Sequence, residues 1–94
     1  MTTFKLVLEY DGTQYAGWQR QLNVPTIQAT VEDALAAIAQ TRLTLVGAGR
    51  TDAGVHAFGQ VASFRTDRSL SQREWLPALT AHLPADISAL SVEA

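Results

Sequence analysis

The run L-T-L-V, Leu43 to Val46, is followed by G-A-G-R-T-D-A-G-V-H, Gly47 to His56, and then by F-G-Q-V-A-S-F-R-T, Phe58 to Thr66. The first piece is a short apolar run fit for a strand. In the last, Phe58, Ala62 and Phe64 alternate with Val61, Ser63 and Arg65, the period of two that puts one set on a buried face. The middle piece is glycine-rich and irregular. Two strands therefore follow each other with no helix between them, and that order decides the fold.

Upstream, Thr26 is placed to cap a helix whose apolar residues Ile27, Val31, Leu35 and Ile38 recur at helical spacing. Before it, F-K-L-V-L-E-Y from Phe4 to Tyr10 sets Phe4, Leu6, Leu8 and Tyr10 on one strand face. Asp11-Gly12 breaks that strand, and an irregular stretch runs to Pro25. Downstream, Ser71-Gln72-Arg73-Glu74 has the form of a capping box. It opens a helix that buries Trp75, Leu76, Leu79 and Leu83 and closes at Pro84, and Ile87 to Val92 makes a last strand. The order strand, helix, strand, strand, helix, strand predicts a single α+β domain over residues 1–94. Its architecture is ferredoxin-like (split β-α-β), a four-stranded antiparallel sheet with both helices on one face.

Composition narrows the chemistry. Apolar residues make up 47% and charged ones 17%, a balance suited to a packed core. The absence of cysteine removes disulfides, thiolate nucleophiles and cysteine-held metals, and fits a cytoplasmic setting. No signal-like start and no long apolar run is visible, so no membrane partner is expected. The formal net charge of −2 weighs against nucleic acid, yet six of the seven basic residues are arginines, and a local patch operates on an acidic protein too.

Three glycines in Gly47 to His56 allow close approach to a ligand, and Arg50 and Asp52 stand two residues apart between them. One reading is a solvated turn between strands, with Asp52 bonded to a nearby backbone N–H. The rivals fail on pattern. A dinucleotide fingerprint needs a glycine where Asp52 stands and a following helix, and a P-loop needs a lysine that is missing. Asp52 with His56 and His82 has no recognised metal spacing, and there is no G-x-S-x-G elbow. Neither a metal nor an organic cofactor is expected.

The stretch G-R-T-D-A-G-V-H-A-x-G-Q-V, Gly49 to Val61, closely resembles the signature of TruA-type tRNA pseudouridine synthases. E-Y-D-G-T-x-Y-x-G-W-Q-R-Q, Glu9 to Gln21, resembles the N-terminal block of the same family. The helix from Thr26 and the turn L-P-x-D-I, Leu83 to Ile87, match its layout. The resemblance covers essentially the whole chain and identifies it as the N-terminal half of a member. Members are longer, and a second ferredoxin-like half carries a tyrosine that stacks on the target base; neither Tyr10 nor Tyr15 matches it by context.

The resemblance implies an isomerase that turns uridine into its C-glycoside isomer in the anticodon stem-loop of tRNA, with a homodimer as the complete protein. It makes Asp52 the essential carboxylate, attacking sugar or base or removing a ribose proton. An aspartate with a pKa near 3.9 is ionised and ready for any of these at neutral pH. Arg50 would support base flipping by pairing with Asp52 and then contacting phosphate or filling the stack. Gly49, Thr51, Gly54 and His56 are expected to face RNA with them. Trp18, Gln19 and Arg20 form an aromatic, amide and guanidinium cluster suited to RNA, although Trp18 and Tyr15 have an equal claim to pack as core. Arg65 is a further phosphate-contact candidate. Two other functions remain open at this stage. A non-catalytic RNA-binding module would share the sheet, and a glycoside hydrolase would need opposed carboxylates among Glu9, Asp11 and Asp52.

Overall fold

The computed structural model describes residues 1–49, 54, 56–68 and 70–94. Among these, β1 (Thr2–Tyr10), α1 (Ile27–Ala39), β2 (Val46–Gly47), β3 (Ala57–Thr66), α2 (Gln72–His82) and β4 (Ile87–Glu93) follow in order, with a 3-10 turn at Gly12–Gln14 after β1. The strands form one antiparallel sheet in the order β2-β3-β1-β4. This is the expected α+β ferredoxin-like arrangement.

The period of two in β1 does what it predicted. Phe4, Leu6, Leu8 and Tyr10 are all buried, and Ala62, Phe64, Ile87 and Val92 join them from the flanking strands. The helices close over this face with Ile27, Val31 and Leu35 from α1 and Trp75 and Leu79 from α2. Each large apolar side chain so buried contributes roughly 1.5–3 kcal/mol. Phe4 and Phe64 are direct cross-strand partners stacked at 5.4 Å, and Trp75 meets Phe64 edge-on at 5.0 Å.

Three expectations need correction. Phe58 does not share the buried face of Ala62 and Phe64. Leu8 pairs with Gln60 and Tyr10 with Ala57, so β3 spends one residue more than β1 there. That bulge reverses the alternation, brings Ala57 to the core side and leaves Phe58 82% exposed. The second strand is Val46–Gly47, not Leu43 to Val46. Both backbone groups of Leu45 are taken by α1: its N–H donates to Glu32 Oε2 at 2.9 Å, and its carbonyl accepts from Gln28 Nε2 at 2.9 Å. The α2 start does not form a full capping box. The Ser71 hydroxyl donates to Glu74 Oε1 at 3.2 Å and makes no bond to a backbone N–H. At α1, by contrast, Thr26 Oγ1 accepts from the Ala29 N–H at 3.3 Å, as its residue type predicts.

Candidate functional site

Where β1 ends, the chain turns sharply, and the turn is built by Asp11. Its Oδ1 accepts from the Thr13 N–H at 3.0 Å and from the Thr13 hydroxyl at 2.5 Å. Those two bonds hold the Asp11 carboxyl below the usual carboxylate range, with a smaller contribution from His56. The Gly12 N–H, freed by the turn, donates to His56 Nδ1 at 3.0 Å, and the same nitrogen lies 3.2 Å from Asp11 Oδ1. The two contacts are alternatives: a neutral ring accepts from Gly12, and a ring protonated at Nδ1 donates to Asp11.

Tyr15 ties three parts of the chain together. Its hydroxyl donates to Asp86 Oδ1 at 2.7 Å, and its carbonyl accepts from the Gly54 N–H at 3.2 Å. Burial, then the bond to the Asp86 carboxylate and its charge, push the phenol well above its ordinary value. The Asp86 carbonyl in turn accepts from the Asp11 N–H at 3.0 Å. At the other end of the glycine-rich stretch, the Gly49 carbonyl accepts from Gln60 Nε2 at 2.6 Å, and the Ala48 N–H donates to the Val61 carbonyl at 2.8 Å. Three segments distant in sequence thus meet at the end of the sheet where β1 stops and β3 and β4 begin. A cavity of about 420 Å3 opens there, lined by Glu9, Tyr10, Asp11, His56, Phe58, Ala85, Asp86 and Ser88.

A second cluster braces the irregular stretch after the turn. Trp18 is only 3% exposed and stacks on Tyr10 at 6.4 Å. Arg20 pairs with Glu32, whose side chain is fully buried although the guanidinium is half exposed. The Arg20 N–H also donates to Gln28 Oε1 at 2.8 Å. One helix face therefore holds both the Arg20 segment and Leu45.

Asp52, Arg50 and Thr51 lie outside the described residues. Gly49, Gly54 and His56 flank them and are held as above. Gly54 has φ +76, a backbone that side chains rarely adopt, whereas a Cβ on Gly49 would meet only ordinary contact. Of the Trp18 pair of readings, the structure takes the core one, so Trp18 offers no surface for RNA. Gln19 and Arg20 are exposed beside it. Arg65 is exposed on the sheet face away from the helices, opposite Thr3, and lies roughly 25–30 Å along β3 from His56 at about 3.3 Å per residue. It is not brought to the cavity. Tyr15, Gln60, Glu32 and Asp86 had no assigned part in the site by sequence. The usable signals were a carboxylate, Glu32, on the apolar stripe of α1 beside Val31 and Leu35, and Asp86 inside a family-like turn.

Gly49 and Gly54 are thus each fixed by a hydrogen bond to a residue outside the stretch between them. Among the described residues, no cluster of three or more His, Asp or Glu side chains is arranged to hold a metal ion. The family model described as tRNA pseudouridine synthase matches residues 6–94. "tRNA pseudouridine synthase A" of Geobacter sulfurreducens is 54% identical over 93 residues, which cover 99% of this chain and 38% of that relative. The protein of the same name from Afipia carboxidovorans is 51% identical over 94 residues, and that from Thermodesulfovibrio yellowstonii 47% over 93, covering 38% and 37% of those relatives. The chain thus spans little more than a third of the length of the relatives it matches. With the match running through all three segments that meet at the cavity, the chain belongs to the tRNA pseudouridine synthase family.

Proposed function

We propose that this chain supplies the catalytic-loop part of a tRNA pseudouridine synthase, with Asp52 as the essential carboxylate. In the reaction the N-glycosidic bond of a uridine breaks, the base turns, and a bond forms from C1′ of ribose to C5 of the pyrimidine. The hydrogen on C5 leaves to solvent as a proton and the freed N1 takes up a proton, so substrate and product have the same composition. Asp52 attacks the sugar or the ring, or removes a ribose proton. Arg50 supports the step by pairing with the carboxylate and by occupying space or contacting phosphate when the base leaves the stack. Gly49, Thr51, Gly54 and His56 line the approach, Gln19 and Arg20 add contacts to tRNA, and the complete protein is a cytoplasmic homodimer acting on the anticodon arm.

One observation carries the reading: the described residues on either side of Asp52 are each held, Gly54 by Tyr15 of the Glu9 to Gln21 block and Gly49 by Gln60 of its own motif. A gripped loop suits catalysis because a reacting group must be held in place before the substrate arrives. The test is tritium release from a tRNA transcript labelled at uridine C5, with Asp52→Ala as the control. Release that disappears in the variant supports the isomerase. Release that persists removes Asp52 from the chemistry. If neither chain releases tritium while Asp52→Asn still binds tRNA like the parent, a binding module becomes the better description of this piece.

A further inference from the structure

We propose that Tyr15, anchored by Asp86, is a positioning residue that sets the geometry of the catalytic loop from outside it. The inference rests on the isomerase reading above and assigns to Tyr15 and Asp86 a part that neither residue type announces.

The linkage is continuous. Asp86 sits in the turn just before β4, and its backbone and side chain act in different directions. Its carbonyl fixes the Asp11 N–H where β1 ends, and its carboxylate accepts the Tyr15 hydroxyl at 2.7 Å. Tyr15 lies 71 residues away in sequence, so this bond closes a large loop of chain. The Tyr15 N–H donates back to the Gly12 carbonyl at 3.0 Å, and the Tyr15 carbonyl receives the Gly54 N–H at 3.2 Å. Gly54 stands two positions after Asp52. The phenol ring is therefore a strut. Its tip is pinned to the β4 turn by an ionic acceptor, a bond stronger than a neutral one, and its root holds the loop.

The surroundings favour this use over a merely structural one. Tyr15 is half-buried and packs against the core, so its ring has little freedom once the tip is bound. Burial and the Asp86 carboxylate both keep the phenol protonated, so the donor persists across the working pH range. The other anchor at this end of the loop, Gly12 N–H to His56 Nδ1, involves a half-exposed ring that changes partner when it is protonated.

The experiment uses the full-length protein, in steady-state tritium release from C5-labelled tRNA. Tyr15→Phe removes only the hydroxyl. Asp86→Ala removes the acceptor, and Asp86→Asn keeps an oxygen that accepts. A misplacement of about 1 Å costs up to about a hundredfold in rate. Tyr15→Phe and Asp86→Ala are expected to lower kcat by about tenfold or more with KM for tRNA within about twofold of the parent. The double variant should be no worse than either single one, because both break the same strut. Asp86→Asn should recover most of the rate, and Arg42→Ala, an exposed ion-pair residue remote from the loop, should not change it.

Amide hydrogen exchange gives a readout independent of turnover. The Gly54 amide should exchange at least about tenfold faster in Tyr15→Phe, while amides in the β1–β3 ladder keep their parental rates. Unchanged kcat with unchanged Gly54 exchange overturns the proposal, as does a loss confined to KM. If the parent protein releases no tritium, the isomerase reading fails, and the Gly54 exchange still decides whether Tyr15 holds the loop.

Discussion

Gly47→Ala is the most exacting test of the packing, because the constraint on Gly47 is one of space. A Cβ built on Gly47 falls 2.7 Å from both Nε1 and Cε2 of Trp18, about 0.7 Å inside the 3.4 Å at which ordinary contact begins. The obstruction is not the far end of a flexible side chain. Trp18 is 3% exposed and stacked on Tyr10, so it moves only by disturbing the core. Overpacking of this kind costs about 1–3 kcal/mol. For a domain of this size each kcal/mol lowers Tm by about 4–8 °C. Thermal unfolding followed by circular dichroism should show a Tm lower by at least about 4 °C, and Trp fluorescence should shift to the red as the indole is displaced. The cause is isolated by Trp18→Phe, which removes the atoms in the way. The double variant Gly47→Ala/Trp18→Phe should lose less stability than the two single losses added together. A Gly47→Ala protein that melts within about 1 °C of the parent, or a strictly additive double variant, would refute the reasoning and return Gly47 to a role in ligand approach.

The other glycines and the half-buried ion pair of Arg20 and Glu32 give sharper contrasts. Gly54→Ala meets no atom within 4 Å but must hold φ +76, so it should cost about 1–2 kcal/mol, and Gly54→Asn less; equal melting of the two variants would contradict this. Gly49→Ala, at ordinary contact distance, should leave Tm unchanged. Glu32→Ala should destabilise more than Arg20→Ala, since it also strands the buried Leu45 N–H at about 1–3 kcal/mol; the reverse order in urea melts would be evidence against the bracing role. Tyr15 has a folded-state pKa raised above its unfolded value near 10, so its contribution is fully present below about pH 10 and is lost as pH rises further. Tm should therefore fall more steeply above pH 10 in the parent than in Tyr15→Phe, and parallel curves would exclude that linkage.

Much of this protein was legible in its sequence because the signals are local. The direction of a side chain alternates along a strand and turns about 100° per residue along a helix. Hence Phe4 to Tyr10 and Ile27 to Ile38 announced their buried faces, and the succession of elements announced the sheet. The motif around Asp52 was likewise legible, as were the segments that accompany it. The bulge that turns Phe58 outward left no mark in the alternation, because its position follows from how β3 pairs with β1. Leu45 looked like a strand residue because it sits in a short apolar run, but Glu32 and Gln28 claim its backbone from a helix 13 and 17 residues away.

What the sequence by itself determined is the list of elements, their order and the segment that carries the carboxylate, all properties of neighbouring residues and backbone geometry. What only the tertiary structure decided is which distant groups share a bond. Gly12 meets His56 across 44 residues and Tyr15 meets Asp86 across 71, because the sheet order β2-β3-β1-β4 brings the start of β3 and the start of β4 beside the end of β1. A hydrogen bond operates over about 3 Å of space and is indifferent to separation along the chain, so no local pattern could have named those partners.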